Sequence, residues 1–328
     1  MSRPVTVFSG QWADVPFDQF CEKVKSFGYE GIEIACWGEH LNLKKAATDA
    51  KYTEEIKTVL KNHDLKVWAI GTHLIGQCVG GNNDGLPNAF IPSNISGKPE
   101  EMRKWAVQEM KYAAVVAKNL GVKIVTGFMG SPICAHWYGL PSAAEQMVQE
   151  AYNSLIKNWT PIFDEFDKQQ VKFALEVHPS ELTFDYYTAE RLIKEFKSRK
   201  TLGFNFDPSH LIWQGISPHL FLRDFARYIL HVHIKDAAVT LDGRTSILGS
   251  MLPFGDTKRG WNFRAPGHGD IDFESIIREL NAINYKGPLS VEWEDSGMNR
   301  EIGIKEAFSF VKNINFSPLD TIEAAVKE

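Results

Sequence analysis

Four stretches of the chain each carry a side chain able to bind a metal inside a short apolar run. They are Phe173-Ala-Leu-Glu176-Val-His178, Leu202-Gly-Phe-Asn-Phe-Asp207-Pro-Ser-His210, Leu230-His-Val-His233-Ile-Lys235 and Leu289-Ser-Val-Glu292-Trp-Glu294. A carboxylate drawn into an apolar strand is costly unless a partner compensates it, so four such runs imply convergence on something positive. Carboxylate oxygen and imidazole nitrogen suit Mn²⁺, Mg²⁺, Co²⁺ or Zn²⁺. Lys235 is the metal-free alternative, a cation within the chain that would balance the acids.

Strand period two sorts the neighbours of these groups. Glu176 shares a face with His178, His231 with His233 and Lys235, and Glu292 with Glu294. Each strand can therefore offer one ligand deep in a cavity and a second polar group above it. A lone histidine more often sits satisfied in a core or on a surface, and His40, His63 and His219 take that reading.

The elements that must position these residues alternate along the chain. Strand-like runs fall at Val5–Phe8, Ile32–Ala35, Lys66–Ile70, Val122–Val125, Val171–Val177, Leu202–Phe206, Ile229–Ile234 and Pro288–Trp293. Helical periodicity follows each, as at Phe17–Phe27, Thr53–His63 and Pro99–Leu120, where Pro99 suits a first turn and Gly121 a stop. Further helices are expected at Ala143–Gln169, kinked at Pro161, and at Thr188–Phe196, Pro218–Tyr228, Phe273–Ile283 and Ile302–Ile314. Eight strand–helix pairs with mostly apolar strands predict one (β/α)₈ TIM barrel domain over residues 1–328. A doubly wound open sheet is disfavoured, because Phe8-Ser-Gly10-Gln-Trp12 has one glycine where a dinucleotide fingerprint needs three. Long loops follow strand three (Gly71–Lys98) and strand seven (Ala237–Asp272), the place for lids or arms through which copies pair as a homo-oligomer.

With 36 basic and 41 acidic residues, the net charge of −5 gives no footprint for nucleic acid. Four scattered cysteines without CxxC spacing read as reduced thiols. The N-terminus has no signal-like apolar core, and no apolar run is long enough to span a membrane, so a cytoplasmic location is expected.

The ligand strands and their order resemble the xylose-isomerase-like barrel superfamily, specifically the sugar phosphate isomerase/epimerase group with its ketose 3-epimerases and inosose isomerases. The resemblance covers essentially the whole chain. It implies that Glu176, Asp207, His233 and Glu292 hold one divalent ion, Mn²⁺ ahead of Mg²⁺, Co²⁺ or Zn²⁺. It further implies that Glu176 and Glu292 are the catalytic bases. His233 matches the family ligand better than His231 does, and His210 matches a sugar-contacting position. His178 and Lys235 are further substrate-side residues, and Lys235 or Arg264 could stabilise negative charge on oxygen. Trp12 and Trp37, just after strands one and two, and His136-Trp137-Tyr138 after strand four are expected platforms for a sugar ring. Trp293 reads as core.

The implied reaction is isomerisation or epimerisation of a keto-sugar or polyol through an enediolate. The same enolisation could drive a lyase, a dehydratase or an enzyme deglycosylating 3-keto-glycosides. No Gly-rich phosphate cradle follows strands seven or eight, only Ser296-Gly297, so a non-phosphorylated substrate is expected. A sugar-binding protein without activity would have lost a ligand strand. The endonuclease IV class resembles the barrel too, and His73 matches one of its ligands. The Asp207/His210 spacing is shared as well, but the additional ligands are largely missing, with no histidine in Thr126-Gly-Phe-Met-Gly-Ser131 and Pro266 where an Asp is needed. His73 is therefore assigned to the substrate side.

Overall fold

Residues 2–82, 91–134, 136 and 144–318 are described by a computed structural model. Seven strands lead to the arm that follows the seventh: Val5–Phe8 (β1), Gly31–Ala35 (β2), Lys66–Gly71 (β3), Ile124–Gly127 (β4), Lys172–Glu176 (β5), Leu202–Phe206 (β6) and Ile229–Ile234 (β7). The arm carries Asp236–Val239 (β8) and Trp261–Arg264 (β9), and Leu289–Val291 (β10) supplies the last stave. The barrel closes in the order β1-β10-β7-β6-β5-β4-β3-β2, with parallel pairing throughout. This is the predicted (β/α)₈ barrel.

The helices are Phe17–Ser26 (α1), Leu43–Thr48 (α2), Ala50–Asn62 (α3), His73–Gly80 (α4), Pro99–Leu120 (α5), Glu145–Gln169 (α6), Tyr186–Glu195 (α7), Ser209–Ile212 (α8), Pro218–Asp224 (α9), Phe273–Ala282 (α10) and Arg300–Ile314 (α11). Their ends follow local chemistry. Pro99 opens α5 and left-handed Gly121 closes it, while Asp185 and Thr188 form a capping box on α7. The inward face of α6 buries Trp159, Phe163 and Phe166 against Phe173 of β5. Each such aromatic contributes about 2–3 kcal/mol of burial, enough to hold α6 as one helix through Pro161.

Besides the short helices α2 and α8, which the sequence reading did not include, two departures bear on the site, both inside connections read as loops. The first is α4, which begins directly after β3. Its Gly76 lies so close to β4 that a Cβ there would stand 2.1 Å from the Phe128 carbonyl oxygen. Only glycine permits that approach, which seats His73 over the barrel mouth. Residues 83–90 of the same connection lie outside the described residues. The second is the antiparallel β8–β9 ribbon, with Ala237 opposite Phe263 and Val239 opposite Trp261. Each strand has only four residues among Gly, Pro and Asp, too short a run for its alternation to stand out. Among the described residues, no helix is long and apolar enough to cross a membrane.

Candidate metal centre and substrate cavity

The strands β5, β6, β7 and β10 all end at one side of the mouth, and each ends on a polar group. Glu176 is the last residue of β5, Asp207 follows β6, His233 lies near the end of β7, and Glu292 follows β10. All four are buried, and one ligand atom from each lies within 4.8 Å of the others.

The orientation of His233 is set from below. Its Nε2 lies 2.9 Å from Oε2 of Glu33 on β2, an oxygen that also meets His231 Nε2 at 2.8 Å and accepts from Ser290 Oγ at 2.9 Å. The other Glu33 oxygen accepts from Thr126 Oγ1. Glu33 has no proton to give these donors, so both histidines present Nε2–H to it. The Nδ1 of His233 is thereby turned upward, 3.1 Å from Glu292 Oε2 and 3.2 Å from Glu176 Oε2. A histidine whose outer N–H rests on a carboxylate while its other nitrogen faces further carboxylates is the arrangement of a metal ligand with its supporting shell.

Electrostatics point the same way. Burial raises the Glu33 carboxyl, but His233 and His231 outweigh it and hold the group well below its usual range. Burial opposes charge on His233 too, yet Glu33 and Glu292 drive its pKa well above the usual imidazole value. The same surroundings favour any cation between those oxygens. Glu292 is pushed up by burial and down further by Lys235 and His233, reaching about 2. Glu176 is likewise held well below the carboxylate range, where burial is overcome by His210, His233 and His73.

The donor set fits a divalent ion. Among the described residues four buried or half-buried carboxylates, Glu176, Asp207, Glu292 and Glu294, act on a single lysine, Lys235. Its ammonium lies 3.3 Å from Glu292 and 2.9 Å from Glu294, leaving Glu176 and Asp207 to other partners. Asp207 accepts from the Ser209 N–H through Oδ1, while its buried Oδ2 has no hydrogen bond and meets only the His210 ring at 3.3 Å. An unsatisfied carboxylate oxygen aimed into a cluster of hard ligands is a vacant valence for a cation.

Around this centre opens a cavity of about 680 Å³. His73, His178, His210, Lys235 and Trp37, all expected on the substrate side, line it. His73 and His210 reach Glu176 at 3.2 and 3.1 Å through Nε2. Burial works against charge on His210, but Asp207 and Glu176 raise its pKa to about 9. The His178 ring packs edge-on against His210 at 4.2 Å, and burial together with that neighbour keeps it neutral.

Two expected substrate residues lie elsewhere. Trp12 is fully buried against Phe20 and Trp293, because the short 3-10 turn after β1 folds its side chain back into the core. Gln11 takes its place on the cavity wall, 3.0 Å from Glu294. Arg264 sits on the opposite face of β9 from Trp261 and Phe263, near Gly255, His268 and Asp295, since alternation turns every second side chain away. Trp137 and Tyr138 lie outside the described residues.

Sequence reasoning passed over Glu33, Asn205, Phe254 and Arg259. Asn205 donates to Glu176 Oε2 at 2.8 Å from inside β6. Glu33 in Gly31-Ile-Glu-Ile-Ala35 carries the same signal as the four ligand strands, an acid within an apolar run.

The chain is 24% identical over 287 residues to an inosose dehydratase of Clostridium beijerinckii, covering 85% of this chain and 82% of that one. The apo structure of the 3-keto-D-glucoside 4-epimerase YcjR from E. coli matches with a TM-score of 0.66 at 15% identity, over 95% of this chain and 99% of that one. The IOLI protein, solved with a bound zinc atom, matches with a TM-score of 0.65 at 20% identity, over 96% and 100%. At these identities the two structures establish the fold. A family model described as xylose isomerase-like TIM barrel matches residues 21–314, and the chain belongs to that family.

Proposed function

We propose that the protein is a divalent-metal-dependent isomerase or epimerase of a non-phosphorylated keto-sugar or polyol. The observation that carries this reading is the convergence of Glu176, Asp207, His233 and Glu292, with His233 Nδ1 turned toward two of the carboxylates. Mn²⁺ is the first choice of ion, and Mg²⁺, Co²⁺ and Zn²⁺ fit the same donors. When bound, the ion would polarise a substrate carbonyl and neighbouring hydroxyl and acidify the adjacent C–H.

The chain's own groups supply the proton transfers. Glu176 on β5 and Glu292 after β10 stand on staves separated by β6 and β7, which supports a reading in which they approach a bound sugar from different sides. One, as carboxylate, removes the proton beside the carbonyl, and the other, after taking up a proton from water, returns it to the opposite face. Both are weak bases in these surroundings, which is why the C–H must be acidified. Lys235, buried above Glu292, donates to the oxygen on which charge develops. His73, His210 and Asn205 hold Glu176 in place.

Elimination is the second reading, favoured by the likeness to an inosose dehydratase over most of both chains. Proton removal by the same carboxylate would then be followed by loss of a hydroxyl or glycosyl group one carbon further on. Keto-sugars incubated in D₂O with manganese and followed by NMR separate the two. Deuterium on an otherwise intact carbon skeleton supports isomerisation or epimerisation, and an unsaturated or shortened product supports elimination. Absence of both across a panel of keto-sugars, with no anomalous scattering at the four ligands after manganese soaking, would overturn the proposal.

A further inference from the structure

The arm after β7 places an aromatic wall on the same cavity, beyond the groups assigned to chemistry. It starts at Phe263, whose ring lies 4.3 Å from Lys235 Nζ and 5.5 Å from the His210 ring. Phe254 stands 5.1 Å further out and Trp261 5.1 Å from Phe263, with Trp213 stacked on Trp261 at 4.4 Å and 2°. All four line the cavity. A small core under the arm would explain Trp261 and Phe263, which pack with Ala237 as a cluster separate from the main core. It does not explain Phe254 and Leu248, which border the same cavity while 53% and 58% exposed.

The wall is held stiff. Arg259, only 7% exposed, donates through Nε to the Trp261 carbonyl at 3.3 Å and through Nη1 to the Leu252 carbonyl at 2.7 Å. Its guanidinium lies 4.4 Å from the Phe254 ring centre and 5.1 Å from that of Trp261. A surface fixed before binding loses little freedom when a ligand arrives.

We propose that the cavity accepts a second ring beyond the reacting sugar, laid on Phe254 and Trp261, so that the substrate is a glycoside of the keto-sugar. The inference rests on the reading that a keto-sugar reacts between Glu176 and Glu292. Phe8 and Phe128 stand beside His233 and His178 in the mouth, whereas Phe254 and Trp261 are joined to that region through Phe263, next to Lys235 and His210. The volume of about 680 Å³ lies within the roughly 300–1,000 Å³ of cavities that enclose drug-sized ligands. Among the described residues no carboxylate belongs to the Phe254–Trp261 stretch of the lining, so the chemistry selected is a ring with an apolar face. An aryl group and a second pyranose share that face.

The test uses the manganese-loaded full chain and ligand-observed saturation-transfer NMR with methyl β-D-glucoside, phenyl β-D-glucoside and cellobiose. The phenyl glucoside is expected to bind roughly tenfold more tightly than the methyl glucoside, with saturation strongest on its ring protons. A similar gain for cellobiose assigns the wall to a second sugar, and a gain for phenyl alone assigns it to an aryl group. Phe254→Ala, at a half-exposed position that leaves the core intact, and Trp261→Ala are each expected to remove the gain. Equal binding of all three ligands, or a gain that survives both substitutions, overturns the inference. So does a dimer in sedimentation that Phe254→Ala dissociates, because the wall would then be a contact between copies. Deuterium exchange on keto-sugars separates this from the reaction itself. Exchange without ring preference leaves the reaction standing and removes the subsite, whereas ring preference without exchange does the reverse.

Discussion

The barrel mouth and the arm that overhangs it are built on opposite rules. In the mouth, charged groups are buried and over-connected: Oε2 of Glu33 alone meets His231, His233 and Ser290. In the arm, apolar groups are left exposed, with Phe254, Leu248 and Met251 at 53%, 58% and 103%. Rigid staves fix each acid in the mouth to a position that a sheet register determines. Asp236 ties the arm's own ends together by accepting from the Gly267, Gly269 and Ile271 N–H groups, and the Ala265 N–H donates to Asp295 beyond β10. On the proposed reading, the staves carry bond-making and the arm the choice of substrate, a division common in barrels.

The largest effect that could break this division belongs to the mouth. Glu176→Gln and Glu292→Gln are each expected to lower kcat/KM by at least about 10³-fold, since each removes a base and a charge. Steady-state rates on a keto-sugar that gives deuterium exchange are the measurement. Normal turnover in either variant would move the chemistry elsewhere. Chelation of metal is expected to abolish exchange and to lower Tm by several degrees, because binding at a hundredfold excess over Kd adds about 2.7 kcal/mol to the native state. A calorimetric scan with and without manganese that shows no shift would favour Lys235 as the sole counter-ion.

Glu33→Gln should have the next largest effect. The carboxylate is outside the proposed set of four ligands, yet through its contact with His233 Nε2 it fixes which nitrogen of His233 faces Glu176 and Glu292. Loss of such a support typically weakens metal binding about 10–100-fold. Titration calorimetry with manganese reads this directly, and a weakened Kd at unchanged Tm marks a positioning role that mere loss of packing would not produce. An unchanged Kd would show that His233 holds its orientation without Glu33.

Much of this architecture could be read from the residue order, for a physical reason. Burying an acid is so unfavourable that Glu176, Asp207 and Glu292 stand out in apolar runs, and eight such runs alternating with helical periodicity leave few folds to consider. Glu33 carried the same signal but stood alone in its strand, and its partners His231 and His233 lie about two hundred residues away. Trp12 and Arg264 were misplaced for the converse reason. Residue type and proximity to a strand end do not determine which way a side chain turns. One turn of 3-10 helix sends Trp12 into the core, and one step along β9 sends Arg264 to the far face. The aromatic wall was hidden because β8 and β9 are only four residues each and acquire meaning when paired.

The smallest expected effect sharpens the comparison from the arm's side. Gly249 has φ of +68°, and a Cβ there would fall 2.6 Å from the Arg259 guanidinium. Gly249→Ala therefore adds backbone strain on the order of 1–2 kcal/mol and pushes the arginine from its seat behind Phe254 and Trp261. The four proposed ligands sit on other elements and keep their places, so manganese Kd should stay constant. What should change is binding of the phenyl glucoside, weakened about threefold as the wall loses its fixed shape. A variant that lost manganese affinity in parallel would mean that the arm and the staves act as one unit, and the division between chemistry and choice would fail at its weakest join.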